Sequence, residues 1–207
     1  MDYRVATRSE AGAVTETIRL AFSDDPVWGP ALAVPSGSTA HLDAFWRFYV
    51  DGGLRFAGRK PPSGVCLTGA AADSLAIWTP PGESELSPEQ EAGMLELVDH
   101  LPAGTREPLL ELFDRFDSQH PHETPHAYLG LLATHPDHRG RGIGQQLLAQ
   151  NLVELDARGV PAYLESTNPA NLHRYLRAGF EVFGSFVSVL DQALITTMWR
   201  EPRKITM

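Results

Sequence analysis

The period of apolar and polar positions changes several times along the chain, and each change marks an element. Apolar-rich runs at 64–68 and 74–79 flank a small-residue turn at 69–73 and read as a strand pair, closed by Pro80-Pro81-Gly82. Ahead of them, residues 3–7 read as a first strand and 9–22 as a helix, with Ser9 in the N-cap position and an end where Asp25 precedes Pro26. Residues 41–50 read as a helix carrying Phe45, Trp46, Phe48 and Tyr49, stopped by Asp51-Gly52-Gly53. Ser87-Pro88-Glu89 opens an amphipathic helix with proline in its first position, and a second helix at 105–118 follows Pro102-Ala103-Gly104. Further on, the apolar run 128–134 reads as a strand and 145–158 as a helix, ended by Gly159-Val160-Pro161. A strand at 162–166, a short helix at 172–177 and an apolar strand pair at 180–189 and 192–199 complete the pattern, before a polar tail at 201–207 expected to fray.

That order, βααββααβαβαββ, predicts one α/β domain over 1–207: a mixed, mostly antiparallel sheet with helices on both faces. The 207 residues, 43% hydrophobic, suffice for a full core. The single cysteine, Cys66, excludes an internal disulfide and a cysteine metal site, and Cys66 has no evident base to make it a nucleophile. No 18-residue apolar run predicts a membrane span, and Met1-Asp2-Tyr3-Arg4 lacks a leader pattern; the expectation is a cytoplasmic protein. The net charge of −9 argues against nucleic acid as partner and, by a small long-range term, favours a cationic amine over an anionic acceptor.

The basic residues that matter are local. In Arg139-Gly140-Arg141-Gly142-Ile143-Gly144, glycines between a strand and a helix start let successive backbone N–H groups converge on an anion, helped by the positive end of the helix. A P-loop would need Gly-x4-Gly-Lys and then Ser or Thr, which does not occur, and a dinucleotide fingerprint would need Gly-x-Gly-x-x-Gly in an early βαβ unit. The plain alternative is a glycine-rich connection with two solvated arginines. The string instead fits Arg/Gln-x-x-Gly-x-Gly/Ala at every position. It resembles the pyrophosphate-gripping signature of the GNAT superfamily of acyl-CoA-dependent N-acyltransferases. Asn171, Tyr175 and Gly179-Phe180 follow in that family's order and place its acyl-CoA-binding core at about 126–183. The strings 21–26, 75–81 and 163–167 are similar to the branch that includes puromycin N-acetyltransferase, while Thr134 (usually valine) and the stretch 187–192 depart from it.

The resemblance implies acetyl-CoA as co-substrate and direct attack by a small-molecule primary amine, with no metal. Leu132, Ala133, Thr134, Arg139, Gly140, Arg141, Gly142, Ile143, Gly144, Gln145, Asn171 and Tyr175 would bind the cofactor. Tyr175 would protonate the leaving thiolate; its plain reading is a core tyrosine, and that of Asn171 an N-cap. The general base stays open between Glu165, whose partial burial would raise its pKa, and His126, which titrates in the right range. An arginine partner for Glu165 and a surface position for His126 are the plain readings. Asp25, Trp28, Trp46 and Tyr49 are the acceptor-side candidates, although aromatics at helical spacing are usually core. Five histidines (His120, His122, His126, His135 and His138) lack metal-ligand spacing. A protein lysine or N-terminal acetyltransferase and a non-catalytic acyl-CoA sensor remain as alternatives, and relatives of this kind often form homodimers.

Overall fold

The structure, a computed structural model, describes residues 3–69, 71–190 and 192–203. Ala70 of the expected turn, Asp191 of the 187–192 stretch, the first two residues and 204–207 of the expected tail lie outside the described residues.

Seven strands form one sheet in the order β1-β2-β3-β4-β5-β7-β6. They are β1 (Arg4–Val5), β2 (Gly64–Thr68), β3 (Ser74–Thr79), β4 (Ala127–Thr134), β5 (Ala162–Ser166), β6 (Glu181–Val187) and β7 (Leu194–Arg200). Every pairing is antiparallel except β4 with β5. Among the described residues seven α-helices cover it: α1 (Ala11–Phe22), α2 (Trp28–Ala31), α3 (Leu42–Leu54), α4 (Pro88–Asp99), α5 (Ala103–Gln119), α6 (Ile143–Arg158) and α7 (Leu172–Ala178). One buried cluster joins α1, α3, α4 and α5 to one face through Val14, Phe45, Trp46, Val98, Leu109 and Ile77. The other packs α6 against Trp78, Leu129, Leu164 and Met198. The expected mixed, mostly antiparallel architecture with helices on both faces is the one observed.

Two local expectations are corrected, and one short helix was not expected. Ser9 does not cap the first helix: it lies within a 3-10 turn at Arg8–Glu10 whose N-cap position is Thr7, where the Glu10 carboxylate accepts from the Thr7 N–H at 2.9 Å, and the N-cap position of α1 falls on Glu10. Gly52-Gly53 does not stop α3, which runs on to Leu54. Each glycine is a point of close approach: a Cβ at Gly53 would meet Ile77 and Val65 side chains at 2.7 and 3.0 Å, and one at Gly52 would collide with the Glu85 carbonyl. Helix-to-sheet contact outweighs the roughly 1 kcal/mol that a helical glycine costs relative to alanine. The four-residue α2, across Trp28-Gly29-Pro30-Ala31, has no periodic signal in so short a run.

Two irregularities in the centre of the sheet shape the site. Ile77 pairs with Leu131 but Trp78 with Leu129, so Gly130 is an extra residue, a β-bulge in β4. It reverses which face alternate residues take: Leu129 packs toward α6, while Leu131 packs toward α1 and α3. The second irregularity is the parallel pair, in which only Ala127↔Ala162 and Tyr128↔Tyr163 are in register. Beyond them β4 and β5 run on without pairing, which opens a gap in mid-sheet with free backbone groups along its edges.

Candidate active site

A cavity of about 800 Å³ lies against this gap. It is walled by α3, α4 and α5, floored by β4 and β5, and reaches to α7. The structure brings to it Asp25, Trp28, Trp46, Tyr49, His126, Leu132, Glu165, Asn171 and Tyr175. Ala133 instead points into the core, and Thr134 faces α6, with its hydroxyl 3.0 Å from that of Ser74.

The anion cradle forms outside the cavity, at the far end of β4. A turn at Pro136–His138 leads into Gly140 and Gly142, with φ of +77° and +72°, and Gly142 occupies the N-cap position of α6. Nothing lies within 4 Å of where a Cβ would stand on either glycine, so both carry left-handed backbone facing open space. Gln146 N–H bonds the Gly142 carbonyl, and the preceding N–H groups of the first turn have no acceptor within the helix. Gly144 seats the helix: a Cβ there would come within 2.8 Å of Thr134 Oγ1. Arg139 is exposed and tied to the Ala21 carbonyl (3.0 Å), and Arg141 to the Asp137 carbonyl (3.2 Å). Both guanidiniums therefore flank the cradle on backbone anchors, with no acidic partner among the described residues, and the site fits a pyrophosphate.

At the opposite end, β5 presents Tyr163 and Glu165 on one face by its two-residue period. Only 4% of the Glu165 side chain is exposed. Its partner is not an arginine: His120 Nδ1, at the end of α5, stands 3.6 Å from Glu165 Oε1. The Tyr163 phenol donates to the Gln119 carbonyl at 3.3 Å, and burial, with the charge of Glu165 nearby, holds both Tyr128 and Tyr163 well above the ordinary phenol range. His126 is buried rather than on the surface, and burial lowers its pKa. Its Nδ1 lies 2.7 Å from the Thr124 carbonyl, which can only accept, so Nδ1 carries the proton and Nε2 a lone pair. His120 Nε2, 3.1 Å away, must then donate to it. With that nitrogen committed, His120 Nδ1 faces a carboxylate oxygen, and the contact is favourable only if one more proton lies between them. Thr124, His126, His120 and Glu165 thus form one contiguous chain of polar contacts at the cavity wall.

Glu85 is the cavity carboxyl that sequence reasoning missed, along with His120 as a partner of Glu165. Glu85 lies in the loop after β3, its carboxyl against the Gly130 bulge, where any Cβ would collide with it. Burial, and the charge of Glu165, push it up to about 8. A loop glutamate carries no periodic signal; the bulge glycine that accommodates it is the only trace in the sequence. Tyr175, packed on Phe180, is pushed up to about 12 by burial, so its phenol is protonated at neutral pH. Asn171 precedes α7 but makes no side-chain cap, which leaves its amide to the cavity. Asp25 is used structurally: one oxygen caps Val27 and Trp28 N–H at 2.9 and 3.0 Å, and the other accepts from Thr167 at 2.8 Å. Cys66, buried with its thiol pushed up to about 12, is inert. Among the described residues no group of three His, Cys, Asp or Glu side chains can hold a metal, and no helix is long and apolar enough to cross a membrane.

Residues 109–180 match the model of the acetyltransferase (GNAT) family. The fold is that of solved acetyltransferases across nearly the full length. One is described as histone acetyltransferase HPA2 and related acetyltransferase from Corynebacterium glutamicum (22% identity, TM-score 0.66, 99% of this chain and 98% of that one). A second is arylalkylamine N-acetyltransferase 2 from Aedes aegypti (11%, 0.66, 98% and 99%). A third is an agmatine N-acetyltransferase (14%, 0.62, 97% and 98%). The domain match and the fold together support an acyl-CoA-dependent N-acetyltransferase.

Proposed function

We propose that the protein transfers an acetyl group from acetyl-CoA to a primary amine of a small molecule, by direct attack in a ternary complex. The observation that carries this reading is the cavity joining Glu165 and its histidine chain to Tyr175 and the edge of β4. Acetyl-CoA supplies the activated acyl group. Arg139, Arg141 and the backbone of 140–145 would hold its pyrophosphate, and Asn171 with the free edge of 132–134 its amide-bearing arm. An N–H on that edge also suits the thioester oxygen as charge develops on it.

Glu165 takes a proton from the acceptor ammonium and shares it with His120, whose Nε2 stays engaged with His126. The freed amine attacks the acyl carbon, forming the C–N bond. The C–S bond breaks, the Tyr175 phenol, held protonated by its burial, donates to the thiolate, and the phenolate recovers the proton that the new amide nitrogen sheds. Trp28, Trp46 and Tyr49 wall the acceptor side and exclude water. Two of the solved relatives are described by small amine acceptors, arylalkylamines and agmatine, which favours a small molecule here. The local resemblance to the puromycin N-acetyltransferase branch extends the proposal to antibiotics and aminonucleosides. The cytoplasm is the compartment that fits acetyl-CoA supply.

The test is mass-spectrometric detection of product from purified protein, acetyl-CoA and a panel of amines including puromycin. An acetylated small amine is the expected result. Saturable acetyl-CoA binding without any small-molecule product would overturn it in favour of a protein acceptor or a sensor.

A further inference from the structure

The charge of the cavity wall narrows the acceptor beyond a primary amine. The wall contains neither lysine nor arginine. Of its carboxylates, Asp25 is consumed by backbone and Thr167 bonds, and Glu83 is paired with Arg59 at 2.6 Å. Glu85, Glu91, Asp114, Asp117 and Glu165 also line it, and none forms an ion pair with lysine or arginine among the described residues. Arg115, between the two α5 aspartates, turns away to Glu111 and the Val187 carbonyl.

These five are arranged in depth. Glu165 and Glu85 lie inside, and the Glu85 carboxyl makes no hydrogen bond or ion pair with any described residue. Glu91 on α4 and Asp114 and Asp117 on α5 are exposed at the rim. Asp114 and Asp117 are one helical turn apart, on the same side of α5 as Phe113. An acceptor with one ammonium group satisfies the inner carboxylates and leaves the rim uncompensated. A second cation beyond the first meets the rim, and the aromatic wall suits the methylene chain between them.

Resting on the acetyl-transfer reading above, we propose that the acceptor is a di- or polyammonium compound. Its reacting amine sits at Glu165 with Glu85 beside it, and its distal ammonium group lies between α4 and α5 against Glu91, Asp114 and Asp117. Burial and the charge of Glu165 raise the Glu85 pKa to about 8, and a bound cation would favour its ionised form.

The experiment compares kcat/KM for putrescine and spermidine with that for butylamine, phenethylamine and puromycin, each a monocation at neutral pH, with acetyl-CoA saturating. The expected result is a preference of tenfold or more for the polycations at low salt, shrinking as salt is raised. In Asp114→Asn/Asp117→Asn the ratio of putrescine to butylamine should fall severalfold, carried by the amine KM rather than kcat. Monocations acetylated as well as putrescine, or a ratio untouched by the double variant, would overturn this inference and leave acetyl transfer standing. No product from any amine would overturn both.

Discussion

The C-terminus of α6 is fastened by a buried charge pair whose loss can be predicted with a magnitude. Arg200, at the end of β7, has 3% of its side chain exposed and grips both oxygens of Asp156, which has 11% exposed, at 2.7 Å each. Its Nε reaches the Ala178 carbonyl at the end of α7, and Asp156 also accepts the Arg203 N–H at 2.7 Å. The pair therefore ties α6 and α7 to β7. Asp156→Ala leaves a buried guanidinium with one carbonyl for company, and such orphaned charges cost about 3–5 kcal/mol. In a chain of this size that lowers Tm by roughly 6–20 °C, at about 2–4 °C per kcal/mol. Asp156→Ala/Arg200→Met removes the orphan and should recover a large part of the loss.

The sign with pH follows from the same contacts. Burial alone would raise the Asp156 pKa, but the hydrogen bonds from Arg200 and the Arg203 N–H outweigh it and hold the pKa below its ordinary value. The pair's contribution is therefore present above the unfolded pKa of about 3.9 and is lost as pH falls through the folded value. Urea unfolding at pH 7 and again near pH 3 should show a gap between wild type and Asp156→Asn that narrows in acid. A loss under about 1 kcal/mol for Asp156→Ala at pH 7 would refute the reasoning, since a surface-like pair is worth no more than that.

Three further outcomes are expected. Tyr175→Phe should lower kcat by about 10²-fold or more, the usual range for a lost general acid, with little change in acetyl-CoA affinity; equal turnover would remove it from the chemistry. Gly142→Asp should abolish acetyl-CoA binding measured by calorimetry, because φ of +72° disfavours any side chain and a carboxylate would stand in the cradle; retained affinity would refute the placement. Glu85, raised to about 8, binds its proton more tightly folded than unfolded, so it makes stability fall as pH rises from about 4 to 8. Glu85→Gln should flatten that slope and be the more stable protein at pH 9 by upwards of about 1 kcal/mol, one pKa unit being worth about 1.4; parallel curves would count against the burial of this carboxyl.

Strands β2, β3 and β5 were legible because apolar runs bounded by turn residues permit no other period there. The α6 start was legible because glycines, arginines and helix signals coincide within six residues. What escaped sequence reasoning was set by contacts between distant segments. Gly52 and Gly53 carry the local chemistry of a helix stop, but the closeness of β2 and β3 overrides it. Strict alternation through β4 hides the bulge, because a reversal of faces leaves the string of apolar residues unchanged. At the site, Glu165 and His126 were singled out separately. His120, which couples them, is visible only once the end of α5 is laid beside β5. Glu85 acquires meaning only from the space that Gly130 leaves.

Two ladder rungs, Ala127–Ala162 and Tyr128–Tyr163, are all that join β4 to β5. The sheet is in effect two leaves with a short seam, and an extended, amide-bearing guest in the open part becomes a rivet between them. Stiffness of the molecule then follows the supply of its co-substrate: ligand at a hundred times its Kd adds about 2.7 kcal/mol to the folded state. That gain should concentrate as slowed amide exchange along 129–134 and 164–166, with β2 and β3 hardly altered. If that opening takes the acyl donor, the protein without ligand should exchange its amides fastest along the unpaired edges of β4 and β5.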